Sequence, residues 1–369
     1  YNSGQSSFTH SYSTITSLVS LNTGDLPAPT HQGCDAFQSV TYSGNGSTRS
    51  ITTDIAPAWV WIKNRSQDDE HKLVDIVRGV QKELSSDDAS TAEQTDSNGV
   101  TAFASSSFSL GSGANGYNDS SENFIAWCWA AGTAFSNDAS ETSIGTIDSS
   151  GRVNASDSLS IISYTGNNTD NASFKHGLSG APELVIHRER DNANGWIVGA
   201  TLVGYDQMLR LDTTDAKTPD SAAWSDVAPN SSIITLGNGN GTNRAGAMIC
   251  YAFRSVPGVC KVGSYEGNNN ADGSYVSLGF KPSFFISKNI DATGSWFIID
   301  NKRGFNSASN EAYLQAESNA TETVGNVADL LSAGIKWRTT GGGNANNTFI
   351  YMAMADIASG AGLAPIYGR

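Results

Sequence analysis

The sequence predicts an all-β fold: three tandem antiparallel β-sandwich modules of about 100 residues each, after an N-terminal extension. Three observations carry this. Pro57-Ala58-Trp59-Val60-Trp61-Ile62-Lys63 returns as Pro182-Glu183-Leu184-Val185-Ile186-His187-Arg188 and again as Pro282-Ser283-Phe284-Phe285-Ile286-Ser287-Lys288. A second apolar run, starting at Phe124, Met248 or Phe349, comes 67, 66 and 67 residues after the respective proline. Spacings held to one residue mark copies of one module. Finally, 38% of the 369 residues are apolar and only 16% charged, and Gly, Ser, Thr and Asn fill much of the rest. That composition suits short strands joined by turns, because Gly and Asn take positive φ cheaply and Ser and Asp cap turns.

Further anchors agree. Tyr42-Ser43-Gly44-Asn45, Tyr164-Thr165-Gly166-Asn167 and Tyr265-Glu266-Gly267-Asn268 precede the three prolines. Asp75 and Asp300 each lie 18 residues after their proline, and Arg78-Gly79 and Arg303-Gly304 share an offset. Trp196 and Trp296 both sit 14 residues after theirs, and the middle copy has Ala200 where the others carry the aspartate.

Taken in order, residues 1–33 stand outside the repeat. Ser17-Leu18-Val19-Ser20-Leu21 alternates like a strand, and Pro27 and Pro29 stiffen the chain between it and module 1. This extension reads as the end of an upstream sandwich or as a donated strand. Module 1 spans 34–132, with strands expected at 37–42, 58–63, 72–77, 100–103, 108–110 and 123–130. Its acidic stretch from Gln81 to Asn98 reads as a solvated loop. Residues 133–158 read as a linker with one possible strand at 144–147. Module 2 spans 159–258, with strands at 159–164, 184–188, 196–198, 208–211, 233–236 and 247–253. Module 3 spans 259–356, with strands at 260–265, 284–288, 296–300, 312–316, 335–337 and 348–354, and a short helix at 324–333. Residues 357–369 form a small, Gly-rich tail. The closing strands are apolar on both faces, which predicts a central position or contact between modules. The favoured arrangement is beads in line; the alternative is a packed pseudo-threefold trio.

The formal net charge is −14, and no Lys/Arg cluster interrupts it. A nucleic-acid partner needs a basic patch to displace counterions, so none is expected. No run approaches the roughly 20 apolar residues that span a bilayer, and no membrane insertion is expected. Cys34, Cys128, Cys250 and Cys260 are too few for a disulfide framework and read as buried free thiols.

Trp59-Val60-Trp61-Ile62-Lys63-Asn64-Arg65-Ser66, Val77-Arg78-Gly79 and Phe124-Ile125-Ala126-Trp127-Cys128-Trp129-Ala130-Ala131-Gly132 resemble a repeated β-domain of large virion and tail-fibre proteins of tailed bacteriophages, marine ones especially. Modules 2 and 3 keep the skeleton only. The lead-in Tyr1–Gln5 and Leu21–Pro29 is similar to the end of a concanavalin/SPRY-like lectin sandwich. The resemblance implies a virion surface component that self-associates, contacts other virion proteins and meets a host glycan or protein. It supplies no catalytic residue.

The residues themselves give little chemistry. None of His10, His31, His71, His176 and His187 sits in a nucleophile-elbow pattern. Asp68, Asp69 and Glu70 read as a solvated loop, and Asp75 and Asp300 as structural partners of Arg78 and Arg303 rather than a glycosidase pair. Asn268, Asn270 and Asp272 form a weak calcium candidate, beside the preferred reading of an Asn-rich turn. No spacing suits zinc, and no cofactor is expected. The Trp59/Trp61 and Trp127/Trp129 pairs read as core and module contact. Tyr117, Tyr205 and Trp224 lie in loops and are the candidates for exposed ligand contacts. The expected function is a non-enzymatic virion structural protein, a tail fibre or other host-contact component. Its alternatives are a capsid-decoration, head-fibre or filament-forming assembly protein, and a polysaccharide depolymerase.

Overall fold

A computed structural model describes residues 35–113, 115–239, 241–304 and 311–356. The expectations for residues 1–33, Cys34, His10, His31 and the tail lie outside them. Module 1 contributes β1 (Phe37–Ser43), β2 (Arg49–Thr52), β3 (Pro57–Asn64), β4 (Lys72–Asp75), β5 (Lys82–Glu83), β6 (Gln94–Thr95), β7 (Val100–Ala104), β8 (Ser107–Leu110) and β9 (Asn123–Ala130). Next come β10 (Thr133–Asn137), α1 (Ala139–Thr142), β11 (Ser149–Val153), β12 (Leu159–Gly166), β13 (Ala172–Lys175), β14 (Leu184–Glu189), β15 (Ile197–Ala200), β16 (Gln207–Arg210), β17 (Thr218–Pro219), α2 (Ser221–Trp224), β18 (Ile233–Leu236) and β19 (Gly246–Phe253). Module 3 holds β20 (Cys260–Glu266), β21 (Tyr275–Ser277), β22 (Pro282–Asn289), β23 (Trp296–Asp300), β24 (Glu311–Gln315), β25 (Thr323–Gly325), β26 (Ala328–Leu331), β27 (Gly334–Trp337) and β28 (Thr348–Ala355).

Each module is an antiparallel sandwich. The inner sheets run β1-β9-β3-β4, β10-β11-β12-β19-β14-β15-β16-β17 and β20-β28-β22-β23-β24-β25. The outer sheets run β2-β8-β7, β13-β18 and β21-β27-β26. The two sides of each inner sheet differ in partner. Val60, Ile62, Ala126 and Cys128 point into the core of module 1, while Trp59, Trp61, Ile125, Trp127 and Trp129 point the other way. Strand period 2 produces this division. The outward rings do not meet solvent. They share one continuous cluster with Leu184, Ile186, Tyr251 and Phe253 of module 2 and with Phe284, Ile286, Met352 and Met354 of module 3. Trp59 stacks at 4.1 Å on Trp129 and at 4.2 Å on Tyr251 of the neighbouring module. The beads-in-line expectation therefore gives way to the packed trio. A large apolar second face on each sheet has to be covered, and the neighbouring modules cover it.

Local chemistry explains the repeated residues. Pro57 and Pro282 open their strands at a register shift against the closing strand, where a residue without an N–H costs no ladder bond. The Tyr-x-Gly-Asn signature is a loop lock. Tyr42 donates to the Tyr117 carbonyl at 2.7 Å, Tyr265 to that of Gly343 at 2.6 Å, and Tyr164 to that of Thr242. The next residues, Asn118, Asn243 and Asn344, are buried, and each accepts the backbone N–H of Asn45, Asn167 or Asn268. A Cβ on Gly44, Gly166 or Gly267 would fall 2.0, 2.0 or 1.8 Å from the carbonyl oxygen of the residue after the asparagine. Only glycine lets those backbones meet. Gly166→Ala is thus expected to cost roughly 1–3 kcal/mol by overpacking. Urea unfolding checks this; an unchanged midpoint would refute the lock.

Three expectations change. Residues 133–158 are not a linker: β10 and β11 form a hairpin that extends the module 2 sheet next to β12, and 144–147 holds only an isolated bridge at Ile147. Residues 324–333 are not a helix but β25 and β26, the latter turning back into β27 with Leu331 opposite Gly334. The stretch 81–98 is not a free solvated loop. It carries β5 and β6 and docks against both other modules.

Candidate functional site

The densest constellation of charged and polar side chains lies between modules. In module 1, Asp75 Oδ2 accepts from Arg78 Nε at 2.5 Å and from the Tyr251 hydroxyl of module 2 at 2.7 Å. Arg78 reaches Glu93 at 3.2 Å, and Arg190 of module 2 clasps Glu93 with two bonds of 2.9 and 2.8 Å. Module 3 repeats the set toward module 1. Asp300 Oδ2 accepts from Arg303 Nε at 2.6 Å and from Trp127 Nε1 at 2.9 Å. Arg65 clasps Glu322 at 2.8 and 2.7 Å, with Arg303 at 3.7 Å from it. Asp75, Arg78, Asp300 and Arg303 have fully buried side chains. Burial disfavours the charge on Arg78, but Asp75, Tyr251 and Glu93 outweigh it and hold the guanidinium well above its ordinary range. The expected structural Asp–Arg contacts are present, and each network balances two anions against two cations.

At the third junction, between modules 2 and 3, the corresponding positions are Ala200, Val203, Ile290 and Met352. Ala200, Ile290 and Met352 are buried in the shared core, and Val203 packs against it. The aspartate, both arginines and the hydroxyl or indole donor have been replaced together by apolar residues, and Lys217, whose N–H bonds the Ile290 carbonyl as that of Glu93 bonds the Arg190 carbonyl, stands in place of the glutamate and pairs with Asp291 at 3.3 Å. A partial exchange would strand a buried charge, whereas a full exchange to apolar groups is tolerated.

A second set of bonds runs in the same rotational sense. Trp196 Nε1 donates to the Ser85 carbonyl of module 1 at 2.6 Å, and Trp296 Nε1 to the Arg210 carbonyl of module 2 at 2.8 Å. His71 stands 14 residues after Pro57, where the others have tryptophan. Its Nδ1 accepts from Trp61 Nε1 at 2.8 Å, so Nε2 carries the proton and donates to the Gln315 carbonyl of module 3 at 3.1 Å. Each module thus grips its predecessor, and module 1 grips module 3, which closes a pseudo-threefold ring. Arg188 adds bonds to the Asp88 and Thr91 carbonyls, at 3.2 and 2.7 Å.

The remaining candidates are all engaged in the fold. Tyr117, Tyr205 and Trp224 are not exposed contacts; their relative exposures are 1%, 4% and 0%. Tyr117 belongs to the module 1 core and the other two to the module 2 core, Trp224 from the end of α2 rather than from a loop. In the calcium candidate, Asn268 Oδ1 accepts the Asn270 N–H, Asn270 Oδ1 accepts the Asp272 N–H, and Asp272 pairs with Lys336 at 2.8 Å. These groups are engaged as an Asn-rich turn docked on Asn344. His71, His176 and His187 are buried, and burial lowers all three, His71 to about 4 and His187 to about 3. Cys128, Cys250 and Cys260 are buried free thiols pushed up by burial.

Sequence reasoning passed over one acidic group. Asp69, Asp119 and Glu122 place carboxylate oxygens within 4.8 Å of one another. Asn64 Nδ2 donates to Asp69 and Glu122 between them. In module 2 the matching positions are Asn194, Arg244 and Gly246 around a buried Glu189, which Arg244 approaches at 3.7 Å. The same clasp is built with the charges inverted. A shallow depression of about 560 Å³ lies elsewhere on module 2, lined by Asp206, Gln207, Pro219, Asp220, Ser221, Ala222 and Asp226.

No curated protein matches the chain. One family model does, and its match covers all three modules as a single unit rather than repeating per module. The chain belongs to the family described as Domain of unknown function (DUF7483), matched over residues 32–357.

Proposed function

We propose that the protein is a non-enzymatic structural component of a tailed-bacteriophage virion, a tail fibre or other host-contact part that presents loops to a host glycan or protein. The observation that carries this reading is where the reactive side chains go. His71, the paired Asp–Arg groups and most tryptophans lock three sandwiches into one block, while His176 and His187 are engaged inside module 2. The exterior that remains is a set of short loops on a rigid frame, the arrangement that suits load bearing and contact. Self-association on a particle would multiply a weak contact per chain by orders of magnitude.

The second reading, an assembly or decoration protein, is favoured by the exposed edge strand β10. Antibody against the chain, imaged on purified tailed particles by electron microscopy, tests both. Label at the tail tip or baseplate is expected; label tiling the head supports the second reading; unlabelled particles refute the virion assignment. A glycan array then separates recognition from assembly, and new reducing ends released from host capsule would overturn the non-enzymatic assignment.

A further inference from the structure

We infer that β10 is a self-pairing edge, through which two copies of this chain join their inner sheets of module 2 about a twofold axis at Phe135. Strand β10 ends its eight-stranded sheet, and among the described residues no other strand pairs with its outer side. It keeps an unbroken five-residue register with β11, from Thr133 opposite Val153 to Asn137 opposite Ser149. Thr133, Ala134 and Ser136 are exposed, whereas Phe135 is partly buried. A Cβ on Gly151 or Gly177 would lie 3.0 or 2.6 Å from the Phe135 ring. Those glycines seat the ring and hold the strand flat against the module.

Two other sheet edges are blocked. The far end of the same sheet carries Pro219 in β17, which has no N–H to offer. In module 3 the outer side of β20 is closed from within. Val256 exchanges backbone bonds with Cys260, and the Ser255 hydroxyl bonds both the N–H and the carbonyl of Val262. Strand β10 has no proline, lysine or register shift, the usual devices that keep an edge from pairing.

Charge selects a second copy as the occupant. The chain carries −14 overall, so most approaches bring acids together. An antiparallel pair centred on Phe135 sets only Thr133, Ala134, Ser136 and Asn137 opposite one another, all uncharged. Its register also places the second copy's Asp138 opposite Gly132. The Gly132 carbonyl already accepts from Arg152 Nη1 at 3.0 Å, so each Arg152 meets the other chain's Asp138, twice by symmetry. Such β-addition draws its affinity from main-chain bonds and its specificity from flanking groups.

The contact extends the self-association within the proposed function but is tested apart from it. Sedimentation velocity of the full chain, from low micromolar to several hundred micromolar, is expected to show a monomer–dimer equilibrium. Arg152→Glu is expected to weaken the dimer roughly tenfold or more, through two reversed pairs. Asp138→Asn keeps the helix cap and removes only the charge, and is expected to weaken it less. Ala134→Lys, an edge lysine, is expected to leave a monomer. Circular dichroism confirms that each variant folds. A wild-type chain that stays monomeric throughout, or a dimer unmoved by all three substitutions, overturns the inference. Either result leaves the particle labelling free to succeed or fail on its own.

Discussion

Asp75→Ala is expected to destabilise the protein by roughly 3–5 kcal/mol, because it leaves Arg78 buried with its main counter-charge removed. The Arg78 side chain has no exposure to solvent and also donates to the Leu73 carbonyl at 2.7 Å, so it cannot swing out to water. The Tyr251 hydroxyl loses its acceptor at the same time. The molecule contains its own control. The junction between modules 2 and 3 carries Ala200, Val203 and Met352 in place of Asp75, Arg78 and Tyr251 and packs them in the same core. The triple variant Asp75→Ala, Arg78→Val, Tyr251→Met is therefore expected to recover part of the loss, since no uncompensated buried charge remains, while the smaller side chains still cost packing. Urea midpoints of the single and triple variants read this directly. A single variant within about 1 kcal/mol of wild type, or a triple variant worse than the single, would remove the junction networks from the account.

The second large effect is on acid stability. His71 and His187 sit in the folded protein with pKa values lowered by burial to about 4 and about 3, against about 6.5 in the unfolded chain. The unfolded state therefore takes up protons below pH 6.5 that the folded state refuses. Stability from these residues is fully present above that pH and declines as the pH falls through 6.5 toward 4. At pH 4.5 the decline is roughly 2–3 kcal/mol per histidine. His176, also lowered by burial, acts in the same direction. Urea unfolding between pH 4.5 and 8 measures the slope. His187→Ser, which copies Ser287 of module 3, is expected to flatten it; an unchanged slope would mean that other groups govern acid unfolding.

Much of the inner sheet architecture was legible from residue order. The proline-led runs and closing runs became β3, β14 and β22 and β9, β19 and β28, because long apolar strands with fixed spacing leave few alternatives. The strands of the outer sheets were harder. Arg49–Thr52, Ala172–Lys175 and Tyr275–Ser277 are three or four residues long, too short for period 2 to register. The misread helix at 324–333 has apolar residues at helical spacing, yet a two-residue turn at Ser332-Ala333 folds it onto β27. Expected loop position misled most for Tyr117, Tyr205 and Trp224: the first two follow Gly116 and Gly204 yet turn inward, and Trp224 ends α2.

The closed ring was the least legible feature, for a physical reason. Its bonds join residues far apart in the chain, such as Trp296 to Arg210 and Arg65 to Glu322, and one of the three junctions lacks the buried Asp–Arg pair and is crossed by a half-exposed Lys217–Asp291 pair instead. A signal was nonetheless present: Ala200 in place of aspartate, together with Val203 in place of arginine and Met352 in place of an aromatic donor, is a coordinated exchange. His71 at the tryptophan position was another.

Differential scanning calorimetry of the whole chain tests the central claim, that three sandwiches share one core and unfold as one body. One transition is expected, with the van't Hoff enthalpy equal to the calorimetric enthalpy. Two or three separable transitions, each with a van't Hoff enthalpy matching only its own share of the heat, would show modules that fold independently and would contradict it.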